Sequence, residues 1–178
     1  MYPLEIIEAL WFILPAYIAN STPLHITRVS SLRKYNKPID GGRTFNGFRI
    51  FGDNKTWRGL ISGICGGVFV GGVQILVQDN SPFYVPRMTF TLAFVLSVGA
   101  LAGDLAGSFV KRRNRLEPGS PAPLLDQLNF VFGALLLAWL MKIKIPVDYV
   151  VILLIITPVL HLLTNFIAWA WRWKKHPW

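Results

Sequence analysis

Inside one otherwise apolar run, Gly103-Asp104-Leu105-Ala106-Gly107-Ser108-Phe109-Val110-Lys111-Arg112-Arg113, the sequence sets an acid, a hydroxyl and three cations. If the run is helical, Ala100, Asp104, Ser108 and Lys111 or Arg112 fall on one stripe, because residues three or four apart share a face. A carboxylate within a membrane span costs about 3 kcal/mol or more on insertion scales, so it carries a task or a partner. An acid, a hydroxyl and a cationic cluster in line suit a metal-bound phosphate. The structural alternative is an ion pair between Asp104 and Lys111 or Arg112 of the same helix. Asp104 and Lys111 lie two turns apart, roughly 10 Å along the axis, which is long for a direct pair. Ser108 has the alternative of bonding back to a carbonyl of the preceding turn.

A second carboxylate, Asp126, follows Pro121-Ala122-Pro123-Leu124-Leu125, where prolines end a loop and open a helix. Asp126 either favours the helix dipole from the first turn or takes part in a site. Asn129 shares its face three residues on. Asp104 and Asp126, at one depth on two helices, are the hard oxygen donors that Mg²⁺ takes beside waters and substrate phosphates. A third group lies in the stretch 41–59, rich in glycine, cations and hydroxyls and containing Asn46, Lys55, Thr56 and Arg58. Glycine lets backbone N–H groups turn toward a phosphate, which Lys and Arg neutralise. It is not a Walker A loop, since Asp53 and Asn54 intervene between Gly52 and Lys55-Thr56 and no strand precedes it. The plain alternative is a basic loop at a membrane surface. In the last apolar run His161 and Asn165, four apart, share a face with Thr157, for substrate contact, support of a site, or a simple hydrogen bond to a neighbour.

The elements that must position these groups are transmembrane helices. Of the 178 residues 53% are hydrophobic and the mean hydropathy is +0.45, with runs near twenty residues. Five spans are expected, at Leu4–Leu24, Gly59–Val77, Met88–Val110, Leu124–Met141 and Tyr149–Trp171, in one all-α integral membrane domain of residues 1–178. Each is long enough to cross about 30 Å of hydrocarbon, the first with Pro15 as a kink point. Trp57, Tyr84, Trp139, Tyr149, Trp169 and Trp171 fall near span ends, as interface anchors do. The first run follows Glu5 and Glu8 with no basic region before it, which favours a retained helix over a cleaved signal.

Charge orients the bundle. Loops 28–58 and 111–123 and the tail with Arg172, Lys174 and Lys175 hold most cations, against Arg87, Lys142 and Lys144 on the other side. The amino terminus is then outside, and the two loops and the tail are cytoplasmic. The net charge of +9 is clustered, which suits anionic headgroups or a polyphosphate. No groove-reading motif points to nucleic acid. The single cysteine, Cys65, excludes an internal disulfide and a thiolate zinc site. Gly59, Gly63, Gly67 and Gly71 form one close-packing stripe and Gly99, Gly103 and Gly107 another. Such a face packs within a chain or between two copies, so a homo-oligomer stays open.

Gly103-Asp104-x-x-x-Ser108-x-x-Lys111-Arg112, followed after a proline-containing loop by Leu125-Asp126-Gln127-x-Asn129, resembles the signature of the CTP-dependent CDP-lipid synthases. With Lys55-Thr56-Trp57-Arg58-Gly59, Pro158-x-x-His161-x-x-x-Asn165 and only five spans, the chain is similar to their short archaeal branch, the CDP-archaeol synthases, from about residue 20 onward. Each motif alone is weak; the combination is specific. The chain departs from the larger family at Glu117-Pro118, where Lys-Asp is usual, and at Pro123-Leu124-Leu125, where His-Gly-Gly is usual. Asn129 stands where that pattern has a second aspartate, so an amide oxygen without charge replaces a carboxylate.

The resemblance implies a plasma-membrane enzyme with its site toward the cytoplasm. It implies transfer of a cytidylyl group from CTP to an isoprenoid ether-lipid phosphate, 2,3-bis-O-(geranylgeranyl)-sn-glycerol 1-phosphate, with release of pyrophosphate and dependence on Mg²⁺. Asp104, Asp126, Lys111 and Arg112 would be catalytic, with Asp104 and Asp126 on the metal and Asn129 a weaker candidate ligand. Lys55, Thr56, Arg58, Ser108, Lys111 and Arg112 would hold the nucleotide phosphates. His161, Asn165 and Asn46 would be supporting or lipid-side residues. Two other classes compete: a small transporter or channel with Asp104, His161 and Asn165 as a polar path, and a scaffold whose basic loops bind anionic lipid.

Overall fold

The structure, a computed structural model, describes residues 3–26, 30–82, 84–117 and 120–170. It contains five α-helices: α1 (Pro3–Ile26), α2 (Trp57–Val77), α3 (Phe90–Arg113), α4 (Leu125–Leu140) and α5 (Val147–Ala170). A short antiparallel hairpin, β1 (Thr44–Phe45) and β2 (Phe48–Arg49), lies in the loop between α1 and α2. The protein is an all-α integral membrane protein. Its outward surface carries large apolar side chains such as Phe69, Leu76, Phe132, Trp139 and Ile155, as a bundle in lipid requires. Trp171, the last residue of the expected fifth span, and the basic tail lie outside the described residues, as does Arg28.

Local chemistry sets the helix starts. Thr56 is the N-cap of α2 and its side chain accepts from the Gly59 N–H at 3.2 Å; Thr89 does the same for α3 with Leu92 at 3.1 Å. α2 therefore begins two residues before the expected span, and α3 begins at Phe90 and runs on through Arg113. α4 is shorter than its expected span, with 16 residues or about 24 Å of helix; among the described residues the other four helices are the ones long and apolar enough to cross a membrane. Leu124 ahead of it and Lys142 behind it both hold left-handed backbone, with φ of 64° and 59°, and confine the helix between them.

α3 is the central helix, packed on α1, α2 and α4, while α5 rests on α1 and α4. Both glycine stripes are contact faces. An added Cβ on Gly63 would sit 2.6 Å from the Ala19 carbonyl oxygen, and one on Gly67 would sit 2.6 Å from that of Pro15. On the other face, a Cβ on Gly99 would meet the Gly133 carbonyl oxygen at 2.6 Å, and one on Gly133 would meet Gly103 Cα at 2.6 Å. Without a hydrophobic drive between helices in lipid, such close backbone packing is the main source of cohesion.

α1 stays helical through Pro15. Proline has no N–H, so the Trp11 carbonyl one turn earlier loses its helical partner. Gln74 of α2, fully buried, replaces it by donating to that carbonyl at 2.8 Å. Tyr149 departs from the expected interface anchor. It is buried, and its hydroxyl donates to Glu8 at 2.7 Å, tying α5 to α1.

Replacing Gly133 by alanine forces α3 and α4 apart. It is expected to cost about 3 kcal/mol, read as a lower unfolding midpoint in detergent. Gly72→Ala is the control, since its Cβ would meet only the Phe90 ring at 3.4 Å. It should be neutral or stabilise by up to about 1 kcal/mol, the helix-propensity gain.

Candidate active site

The loop between α1 and α2 closes on itself before it reaches the site. Ile39 N–H donates to the Lys55 carbonyl at 2.8 Å and Trp57 N–H to that of Lys37 at 3.0 Å, so the two ends of the loop run side by side. Inside lies Asp40, whose side chain is wholly buried. Its carboxylate accepts from the N–H groups of Gly42, Phe51 and Gly52 at 3.1, 3.0 and 3.0 Å, and from Arg49 Nη2 at 2.6 Å and Nε at 3.3 Å. Gly42 and Gly52 hold φ of 84° and 97°, which turns their N–H groups inward. The backbone groups expected to face a substrate phosphate thus converge on an internal anion. Burial alone would raise the Asp40 pKa, but the Arg49 guanidinium and the three N–H groups outweigh it and hold the carboxyl well below the ordinary range.

The hairpin is clamped to the end of α3. Arg113 donates to the carbonyls of Phe45, Phe48 and Arg49 at 2.5, 3.1 and 2.7 Å, and its guanidinium lies 4.8 Å from the Phe109 ring centre and 5.2 Å from that of Phe45. The loop therefore has a fixed seat, and Lys55 reaches from it to Asp104 of α3.

A polar cavity of about 590 Å³ results, walled by the loop, α1, α2, α3 and the start of α4. Lys55, Thr56, Arg58, Asp104, Ser108, Lys111, Arg112 and Asp126 all line it. The two carboxylates are paired, but not as expected. Asp104 is bound by Lys55 from the loop, not by a cation of its own helix. Lys111 instead donates to both oxygens of Asp126, at 2.8 and 3.0 Å. Asp126 also accepts from the Ala122 N–H at 2.8 Å, so it caps the first turn of α4 and faces the cavity at once. Arg58 and Arg112 are buried, 7% and 6% exposed, and neither uses Nε or Nη1 for a hydrogen bond among the described residues. Two buried, unanswered guanidinium groups in one cavity leave donor capacity for an anion.

The donor chemistry also fits a divalent cation. Asp104 and Asp126 could hold Mg²⁺, which binds through one or two carboxylates, waters and substrate phosphates and needs no all-protein cage. Among the described residues no three His, Cys, Asp or Glu come together, so a metal here must share its ligands with solvent or substrate.

Other expected residues lie elsewhere. Asn129 packs against the Gly103 and Gly107 positions of α3, and its Oδ1 accepts from Phe130 N–H at 2.6 Å; it does not line the cavity. Asn46 is exposed in the turn of the hairpin, with φ of 51°. Among the described residues α5 contributes nothing to the cavity lining, and His161 is not brought to it. Thr157, on the same face, is buried against the Tyr17 hydroxyl at 2.7 Å. The side chain of Asn165 lies outside the described residues. Sequence reasoning missed Asp40 and Arg113. The signal for the first was Asp40-Gly41-Gly42, since an Asp before glycines is a turn former that bonds to backbone N–H groups.

Fold and site together define an all-α intramembrane enzyme. A family model for CarS-like CDP-archaeol synthase matches residues 1–178, and the chain belongs to that family, the membrane transferases of archaeal lipid synthesis. The CDP-archaeol synthase of Pyrococcus furiosus is 44% identical, with all of both chains covered, and that of Thermococcus gammatolerans is 46% identical over 96% of this chain and 95% of its own. A solved structure of an intramembrane enzyme for archaeal membrane lipid biosynthesis superposes with a TM-score of 0.73 at 38% identity, covering 90% of this chain and 94% of that one.

Because the Asp40 carboxyl is held low, its contribution to stability is complete above the ordinary carboxylate pKa near 4 and fades as pH falls below it. Asp40→Asn is expected to cost about 2–3 kcal/mol at pH 7. Thermal melts across pH should show the gap to the parent shrinking steadily below about pH 4.

Proposed function

We propose that the chain is a CTP-dependent cytidylyltransferase that converts 2,3-bis-O-(geranylgeranyl)-sn-glycerol 1-phosphate to the CDP-linked lipid and releases pyrophosphate, with Mg²⁺ as cofactor. The observation that carries this reading is one cavity with two lysine–carboxylate pairs and two buried arginines whose Nε and Nη1 have no partner among the described residues. A small transporter would instead draw on the α5 face, from which no described side chain, His161 included, lines the cavity.

The reaction needs no general base. A phosphate monoester has a second pKa near 6, so the attacking oxygen is mostly ionised at neutral pH. That oxygen bonds to the α-phosphorus of CTP as the bond from this phosphorus to the β-bridging oxygen breaks, and pyrophosphate carries the electron pair away. The obstacle is the approach of two polyanions, and the remedy is fixed positive charge and alignment.

The paired state of the cavity suits that task. Lys55 and Lys111 neutralise Asp104 and Asp126 before substrate arrives. When phosphates enter, the lysines turn to them and the carboxylates are freed. Held by Asp104 and Asp126, Mg²⁺ would supply further neutralisation of phosphate oxygens. Arg112 and Lys111 grip the triphosphate from α3. The hydroxyls of Thr56 and Ser108 add neutral donors; Thr56 accepts from Gly59 with its oxygen and keeps its proton to give. The excess of basic residues in the loops at this end of the bundle supports a cytoplasmic orientation for it, in the plasma membrane.

Purified protein with CTP, Mg²⁺ and the lipid phosphate should yield CDP-lipid and pyrophosphate, and chelation should abolish both. Asp104→Asn or Asp126→Asn should cut turnover at least about a hundredfold while the helical signal persists. Full turnover in both variants would refute the metal assignment, and failure of the parent protein to make CDP-lipid would refute the reaction.

A further inference from the structure

Beside the polar cavity runs a second recess of about 680 Å³, and Arg58 lines both. The walls of this groove are apolar where it meets α2, through Trp57 and Ile61, and Leu32 faces them from the loop. Lys34 and Lys37 stand on its loop side. Trp57 and Ile61 are four apart on α2 and are 50% and 58% exposed, so they belong to the outward, lipid-facing surface of the helix. Arg112, by contrast, lines the polar cavity only.

From this placement we infer that Arg58 receives the phosphate of the lipid acceptor, not the triphosphate, and that the groove beside it seats the first part of the lipid's chains. The inference rests on the proposed reaction and divides its two substrates between the two recesses. The groove pairs an apolar wall with cations, which matches a phosphate carrying hydrocarbon; a triphosphate would use the cations and leave the apolar wall unmatched. Arg58 stands with Ile26 between the recesses and is buried, and its Nε and Nη1 make no hydrogen bond among the described residues. A cation at that point offsets the repulsion between the acceptor phosphate and the nucleotide phosphates as they meet. The lipid reaches it from the hydrocarbon along Trp57 and Ile61 without its chains crossing the polar cavity. Arg58 is thus a specificity residue for the acceptor, while Lys111 and Arg112 serve the nucleotide.

The test uses the full chain in mixed micelles, with KM measured separately for CTP and for the lipid phosphate, and CTP affinity measured by calorimetry without lipid. Arg58→Gln should raise the lipid-phosphate KM about 10- to 100-fold, as loss of a charge-assisted contact does, with CTP affinity changed less than about threefold. Ile61→Trp, which narrows the groove without touching charge, should raise the same KM about fivefold or more and leave CTP affinity unchanged. Thermal melts identify a variant that fails to fold, and Arg58→Lys then takes the place of Arg58→Gln. CTP affinity falling in step with the Arg58 change would assign Arg58 to the triphosphate and overturn the inference. So would an unchanged lipid KM in Ile61→Trp, which would leave the groove to ordinary bilayer lipid. Either result leaves the reaction itself standing, whereas a parent protein that makes no CDP-lipid removes both.

Discussion

The contact on which the site depends is made of backbone. Gly99 and Gly103 of α3 meet Gly133 of α4 so closely that no side chain fits between them. Asp104 is the next residue after one of these glycines, and Asp126 lies two turns before Gly133, beside the loop. Close approach of the two axes is what lets both carboxylates line one cavity, and what lets Lys111 of α3 reach Asp126 of α4. α4 is too short to owe its place to spanning length; its place comes from packing against α3.

The second constraint is electrostatic and internal. A loop rich in Arg and Lys repels itself, and the stretch around residues 40–58 would spread in water without a fixed counter-charge. Asp40 supplies one, buried at the centre and satisfied by backbone and Arg49 together. Arg113 then fixes the hairpin to α3 through three carbonyls. Lys55 and Arg58 are thereby held at the cavity before any anion is present. Preorganised charge of this kind stabilises a developing charge without reorganisation during the reaction. The same arrangement explains how Asp104 is tolerated at the end of an apolar helix: its partner comes from the loop, and not from its own helix.

Much of this was legible in the sequence because membrane insertion leaves a strong signal. Runs of apolar residues gave the five helices, and the glycine spacings gave both contact faces, since a four-residue repeat of glycine has few uses other than close approach. Asp104, Ser108, Lys111, Arg112 and Asp126 were readable as a site because polar groups are costly in such segments. The partners of those groups were not readable. Spacing along one helix says nothing of a lysine arriving from a loop 49 residues away. Asp40 was missed because a lone acid in a basic loop looks like surface, and its role appears only once backbone N–H groups turn toward it. The partners of the α5 face were unreadable for a related reason. A helical face can be read from sequence, but the neighbour it turns toward cannot, and α5 packs against α1 and α4.

The central claim is that Asp104 and Asp126 would give up their lysines and hold Mg²⁺ when nucleotide binds. The direct measurement is a crystal structure with CTP and Mn²⁺ in place of Mg²⁺, with the metal located by its anomalous signal. The account predicts a peak in contact with carboxylate oxygens of both residues, and Lys55 and Lys111 turned toward the phosphates. A peak remote from both carboxylates, with the two lysine–aspartate pairs intact beside bound CTP, would contradict it.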